Sequence, residues 1–264
     1  MVPPTSSIGP YTVIGPEVEI GEGVRIGPHV FIERDTRVGE DVRISKGAVL
    51  GTDPQDLKYG GERTFLEIGP RTRIREFATI NRGTAASGIT KVGADALIMS
   101  YAHIAHDCRI GDHVVLANSV NMGGHVEIGD WAIVGGLTPI HQFVRIGRHS
   151  MVGGASRIDR DVAPYTIAAG SPAFSFGINR IGLERRGFNS DSIGQLKIAF
   201  RQIFRTEIPL RIALDQIEDE HHTKEVRELI DFIRTSERGI IPSRSGLATN
   251  MEPNIDPHAP PSPT

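Results

Sequence analysis

Four of the histidines in the middle of the chain fall where a repeat could bring them together: His103, His106, His125 and His141. Imidazole carries protons near neutrality and is a common metal ligand, so a cluster of rings admits two chemistries, acid-base catalysis and a zinc site. Both require rings held side by side. Histidines this far apart in sequence meet only if a repeating element returns the chain to the same place, so the elements come next.

Aliphatic residues recur at every sixth position: Ile8, Ile14, Ile20, Ile26, Ile32, Val38, Ile44 and Leu50. The series resumes at Ile68, Ile74 and Ile80, and again from Val92 through Ile98, Ile104, Ile110, Leu116, Met122, Ile128, Val134, Ile140, Ile146, Val152 and Ile158. Glycine often follows the aliphatic residue, and the fifth position is small or β-branched, as at Val18, Val24, Val30, Val42 and Thr72. Six is a multiple of two, so each anchor points to the same side of a short strand, whereas a helix would smear the anchors around its circumference. The pattern is that of a parallel β-helix; an antiparallel sandwich would need regularly spaced hairpin signals between its strands. Periodicity leaves the hand open. These hexads resemble those of the hexapeptide acyltransferases, which implies an all-β left-handed parallel β-helix with three hexads per coil.

Anchors are missing at positions 56, 62 and 86, so the polar, Gly-rich segments 51–67 and 83–91 read as loops expelled from a β-helix over 1–187. From residue 188 the apolar spacing turns helical: Ile193, Leu196, Phe200, Ile203 and Phe204 follow Ser190 or Asp191 as cap, with further amphipathic stretches at 209–220 and 223–235. A small α-helical domain over 188–241 is expected to close the open end of the β-helix, followed by a Pro-rich, disordered tail over 242–264. Apolar residues make up 39% of the chain and charged residues 23%, with a formal net charge of -3, which gives no global reason to bind nucleic acid. No apolar run is long enough to span a membrane, the start has no signal-peptide pattern, and Cys108 has no disulfide partner, so a cytoplasmic protein is expected.

With three hexads per coil, the hexads beginning at Ile104, Met122 and Ile140 stack, and His106, His125 and His141 form a ladder; His103 is expected at the adjoining corner. Local strings then separate the two chemistries. DPQDLKYGGE, IREFATINRGT, SYAHIAHDCRIGD, LANSVNMGGHVEIGD, GGLTPIHQFVRIG and GINRIGLERRGF together resemble the UDP-N-acetylglucosamine 3-O-acyltransferases that begin lipid A synthesis, over about residues 8 to 238. The resemblance implies transfer of a 3-hydroxyacyl chain from acyl carrier protein to the 3-hydroxyl of UDP-N-acetylglucosamine, with no cofactor and no metal. It makes His106 the general base and Asp107 its orienting partner, although neighbours on a strand point to opposite sides. Gly124 matches the residue whose N–H stabilises the oxyanion.

Asp56 and Lys58 match positions that hold the sugar nucleotide and acyl substrate, and His103, His125, His141 and Gln142 match other substrate contacts. Asn179, Arg185 and Arg186 match groups near the nucleotide and diphosphate, and Gly154 matches the position that limits the acyl groove, where a small residue implies a long chain. Asn81, also a substrate position, stands where some members have histidine, and Arg180-Ile181 replaces an apolar-acidic pair. Acylation of a 3-amino sugar nucleotide, or acetyl transfer from acetyl-CoA, are the competing activities. Arg185, Arg186, Lys197, Arg201 and Arg205 form a patch suited to an acidic carrier protein. Flat walls decorated on one side suggest a homotrimer with sites between subunits and no membrane insertion.

Overall fold

The structure, a computed structural model, describes residues 2–206, 208–218 and 223–243. Short strands ending on the hexad anchors build three sheets of ten, seven and seven strands, each pairing parallel with the strand one circuit earlier except for one closing hairpin. The three sheets are the walls of a prism. The first wall starts at Ser7–Ile8, the second at Val13–Ile14 and the third at Glu19–Ile20. We call the turns from first to second wall the first corner, from second to third the second corner, and from third back to first the third corner.

Register gives the length of each coil. Ser7 pairs with Arg25, and Leu97 with Val115, so an ordinary circuit is three hexads long. Arg43 pairs with Arg73, five hexads on, and Arg73 with Leu97, four hexads on. Both excursions leave at the second corner. The strands reach further into them than the missing anchors suggest: Val49–Thr52 and Phe65–Ile68 bracket the first, Thr79–Asn81 and Ile89–Val92 the second.

Anchors and fifth-position residues fill the prism interior, as with Ile32, Leu50, Ile74, Ile98, Ile104 and Leu116. Cys108 is one of these fifth residues. Its buried thiol lies 3.3 Å from the Gly123 carbonyl, and burial pushes its pKa up to about 12, so it stays protonated. Ile8, in the first described coil, is 44% exposed. The glycine after an anchor has a packing reason: a Cβ on Gly9 would stand 2.5 Å from Pro28 N in the next coil. Sharp corner geometry falls two residues later, where non-glycine residues such as Asp107, His125 and Phe143 adopt left-handed φ of 60°, 62° and 63°.

The far end is closed, among the described residues, by the antiparallel hairpin Thr166–Ala169 and Phe174–Ile178 and by four helices: α1 (Arg180–Arg185), α2 (Ser190–Phe204), α3 (Leu210–Glu218) and α4 (Lys224–Arg234). Their apolar faces share a second core around Leu183, Leu196, Phe200, Leu229 and Tyr165. Asn189, one residue before the expected caps, caps α2 by accepting from Ser192 N–H at 2.8 Å. The hairpin and α1 carry too few residues to print a period, and the sequence does not announce them. Beyond Ser243 the expected tail lies outside the described residues.

Candidate active site

Each second-wall anchor delivers the next residues to the second corner. Ile104, Met122 and Ile140 stack, so His106, Gly124 and Gln142 form one column and Asp107, His125 and Phe143 the next. Successive members lie about one interstrand spacing apart, ~4.8 Å. The two excursions leave the same edge of the prism in the two preceding coils.

His106 and Asp107 occupy the corner turn, not a strand. The left-handed φ of Asp107 brings its carboxylate back to its neighbour, with His106 Nδ1 2.8 Å from Asp107 Oδ2. The strand rule that would point them apart therefore does not apply. His125 sits one coil on, edge-on to His106 with ring centroids 5.2 Å apart, and its Nε2 is 3.7 Å from the same carboxylate oxygen. Its ring stacks on Phe143 at 4.5 Å. Burial tends to raise the Asp107 pKa, but hydrogen bonds from Ser87, His106 and Thr84 prevail and hold the carboxyl below its ordinary value.

Gly124 lies directly beside the His106 ring. A Cβ there would stand 2.4 Å from Cε1 and 2.6 Å from Nε2. The Gly124 carbonyl accepts from Phe143 N–H at 3.1 Å, and no acceptor for its own N–H is found among the described residues. An unpaired N–H next to an imidazole is suited to receive a developing oxyanion.

His103 is on the strand His103–Ile104 of the second wall and not at a corner, because the strand takes the anchor and the residue before it. It faces outward beside Thr79, whose hydroxyl is 2.8 Å from its Nδ1. Burial, and after it the charge of His106, lower its pKa, which favours the neutral ring. His141 and Gln142 are exposed at the second corner, with His141 Nδ1 3.1 Å from the Gln142 carbonyl.

Within the first excursion, Asp56 Oδ1 accepts from the Lys58 N–H at 2.9 Å. Asn81 is buried, and its amide donates to Thr52 Oγ1 at 2.7 Å and to the Asp53 carbonyl at 3.1 Å, while its Oδ1 has no partner. Arg82, which sequence reasoning misses, organises this loop. Its buried guanidinium donates to the Gly51 carbonyl at 2.6 Å, to Glu33 at 3.3 Å, to Tyr59 Oη at 3.1 Å and to Asp53. Thr84 and Ser87 of the second excursion, missed in the same way, both reach Asp107.

Other expected residues lie on other edges of the prism. Gly154 is at the first corner, close against Gly136 of the coil before. Asn179, buried near the third corner, donates to the His149 carbonyl at 2.9 Å and caps α1 by accepting from Gly182 N–H at 3.2 Å. Arg186 lies over the Trp131 ring at 5.3 Å, with a buried Nη1 that has no partner, and Arg185 is exposed. A single chain thus gathers the histidines at one edge and sets Gly154, Asn179 and Arg186 on the two edges bounding the first wall.

Ligand atoms of His106, Asp107 and His125 lie within 4.8 Å of one another, near enough to hold a cation. Both oxygens of Asp107 already accept from protein donors, however, so this is not a free ligand set. Beside it runs a cleft of about 390 Å³ bordered by Ser87, His125, Phe143, Arg145 and Glu237.

A coil of hexads carrying a histidine-carboxylate pair at a corner defines a hexapeptide-repeat transferase, and the family model for bacterial transferase hexapeptides (six repeats) matches residues 4–34 and 89–124. The model described as Udp N-acetylglucosamine O-acyltransferase, domain 2, matches residues 161–241. The acyl-[acyl-carrier-protein]--UDP-N-acetylglucosamine O-acyltransferase of Gloeothece citriformis is 45% identical over 203 residues, 75% of this chain and 74% of that protein. Solved UDP-N-acetylglucosamine acyltransferases superpose closely. The Francisella novicida enzyme gives a TM-score of 0.88 at 36% identity, covering 95% of both chains. The Moraxella catarrhalis enzyme gives 0.87 at 44%, covering 91% of this chain and 94% of that one. The chain belongs to the UDP-N-acetylglucosamine O-acyltransferase family, and its β-helix is left-handed.

Proposed function

We propose that this protein transfers a 3-hydroxyacyl chain from acyl carrier protein to the 3-hydroxyl of UDP-N-acetylglucosamine, the first step of lipid A synthesis. The observation that carries the mechanism is the His106–Asp107 contact of 2.8 Å beside the unpaired Gly124 N–H. With Nδ1 donating to Asp107, His106 Nε2 is the free base. It takes the proton of the sugar 3-hydroxyl as that oxygen attacks the thioester carbonyl. The Gly124 N–H receives the negative oxygen of the tetrahedral intermediate. Collapse breaks the C–S bond, and the departing thiolate of the carrier takes the proton back from His106.

Three subunits complete the site in this reading. Outward positions of the first wall carry Leu97, Val115, Ile133 and Met151 in consecutive coils, an apolar row along which an acyl chain can lie. Gly154 flanks that row on one edge and Asn179 and Arg186 on the other. Apposing the first wall of one subunit to the second corner of the next brings acyl row, diphosphate-binding arginine and His106 together around a threefold axis. Asp56 and Lys58 of the first excursion bind the sugar nucleotide and acyl donor from above the histidines. The small Gly154 admits a long chain, and the basic C-terminal patch receives the carrier.

Mass spectrometry of products from UDP-N-acetylglucosamine and a panel of 3-hydroxyacyl carrier-protein thioesters tests this. The expected product is a 3-O-acyl sugar nucleotide, with a fourteen-carbon donor preferred to a ten-carbon one. His106→Ala should lower kcat by about 10² to 10⁴ with folding unchanged. A product formed only from acetyl-CoA, or full activity in His106→Ala, overturns the proposal.

A further inference from the structure

The second excursion lengthens its coil by one hexad, yet contributes no group to the substrate in the mechanism proposed for His106. Two of its side chains, Thr84 and Ser87, reach a carboxylate instead. Asp107 Oδ1 accepts from the Thr84 N–H at 3.0 Å and from the Ser87 hydroxyl; Oδ2 accepts from the Thr84 hydroxyl at 2.7 Å and from His106 Nδ1 at 2.8 Å. Thr90, on the strand that ends the excursion, accepts from Asp107 N–H at 2.8 Å. A carboxylate has about four lone-pair sites, and all are filled, three of them by Thr84 and Ser87.

We propose that this excursion positions the base: Thr84 and Ser87 clamp the Asp107 carboxylate and so fix which nitrogen of His106 carries the proton. With three sites taken, the carboxylate can receive a donor only along the lone pair facing His106 Nδ1. The proton is thereby placed on Nδ1 and the lone pair on Nε2, pointing away from the carboxylate. Without the clamp the carboxylate is free to rotate toward His125, whose Nε2 is already 3.7 Å from Oδ2, and the two imidazoles compete for one acceptor.

The inference rests on His106 acting as base, and its consequences for pH have a definite sign. Asp107 is buried, and its donors keep it ionised against that burial. Removing them lets burial dominate, and the carboxyl titrates at higher pH. That rise moves the acid limb of the rate profile to higher pH, because the reaction requires the carboxylate form of Asp107. Other ionisable groups facing this corner are His103 on the second wall, His125 one coil on, and Arg109 and Glu127 on the third wall. Across the cleft stand the Arg145–Asp161 pair, Glu237 and Arg238. None of these is removed by changing Thr84 or Ser87, so the shift isolates the clamp.

The test compares wild type, Thr84→Val, Ser87→Ala, the double variant and the conservative Thr84→Ser in the full-length enzyme. In the double variant kcat is expected to fall on the order of tenfold to a hundredfold, the loss typical of a misplaced reacting group, with KM for both substrates changed less than about twofold. Its acid limb should move up by at least about half a pH unit, and Thr84→Ser should restore the wild-type profile. NMR of His106 gives a readout independent of turnover: the Nδ1-bound proton, strongly deshielded in wild type, should weaken or vanish in the double variant. A fall in kcat with an unmoved acid limb and an unchanged Nδ1 proton overturns the clamp, as does a rise in KM at unchanged kcat. His106→Ala is assayed alongside. If it stays active, the base assignment fails; if it is inactive and the variants behave like wild type, only the clamp fails.

Discussion

A glycine and an imidazole set the tolerance of the reaction centre. The position of Gly124 is dictated by His106, whose ring atoms occupy the space from 2.4 to 2.9 Å around where its Cβ would be. Gly124→Ala must push the ring off Asp107 or move the backbone N–H proposed above to receive the oxyanion. A loss of about 10² in kcat is expected, with little change in denaturation midpoint because the corner faces outward; near-normal turnover would show that the ring is not held there. His149, at the third corner, makes a separate prediction. It is buried between Trp131 and Tyr165, with ring centroids 6.2 and 5.8 Å away. Burial, then the charges of Arg148 and Arg186, lower its pKa to about 4. The unfolded chain binds a proton near pH 6.5 that the folded chain refuses until about pH 4, so stability is full above the first value and is lost as pH falls through that window. His149→Phe keeps a ring at a corner geometry that Phe77 and Phe143 already adopt. Its urea midpoint should fall less between pH 6.5 and 4 than that of wild type, by the equivalent of roughly 2 kcal/mol; parallel curves would refute the assignment.

At the scale of elements, the excursions show what an exact repeat can and cannot announce. Arg82 ties the first excursion to the prism through Gly51, Asp53 and Tyr59, while Lys58 and Leu57 at its tip are exposed. Arg82→Met should free the loop, raising the rate of tryptic cleavage after Lys58 at least about tenfold in the folded protein, since cleavage follows local opening. An unchanged digestion pattern would mean the loop is held by other contacts. The three-walled coil was legible because every anchor faces inward and any error of register would expose it. That His106, His125 and His141 share one corner followed from that coil length, and the register sets them in three adjacent columns of it. The hydrogen bonds from Thr84 and Ser87 to Asp107 were hidden for the same reason. Thr84 and Asp107 are neighbours in space, yet the extra hexad between their coils breaks the regular count, and nothing local marks a hydroxyl that points inward. Left-handed corners were hidden too, because Asp, His, Phe and Tyr all occupy them and glycine, which usually flags that geometry, mostly stands two positions earlier. Asn179 resembled a ligand contact in sequence, and in the fold both ends of its amide are engaged in capping α1 and tying it to the third corner.

For the whole molecule, the decisive question is whether one chain contains one site. His106 and Arg186 sit at different edges of the same prism, and the apolar row of Leu97, Val115, Ile133 and Met151 lies on the wall opposite the histidine corner. A ligand that touches His106, Arg186 and this row at once, as in the function proposed above, requires a second copy of the chain. Ile133→Arg, on an outward position, should leave the interior packing intact while shifting sedimentation away from three times 28.7 kDa and abolishing transfer together with assembly. Subunit mixing asks the question directly. His106→Ala and Arg186→Ala subunits, each nearly inactive alone, are unfolded and refolded together in equal amounts. If each site draws its histidine from one subunit and its arginine from the neighbour, random assembly leaves both native groups at about one site in four, and the mixture recovers about a quarter of wild-type activity. If each site lies within one chain, every site in the mixture lacks one group and no activity returns.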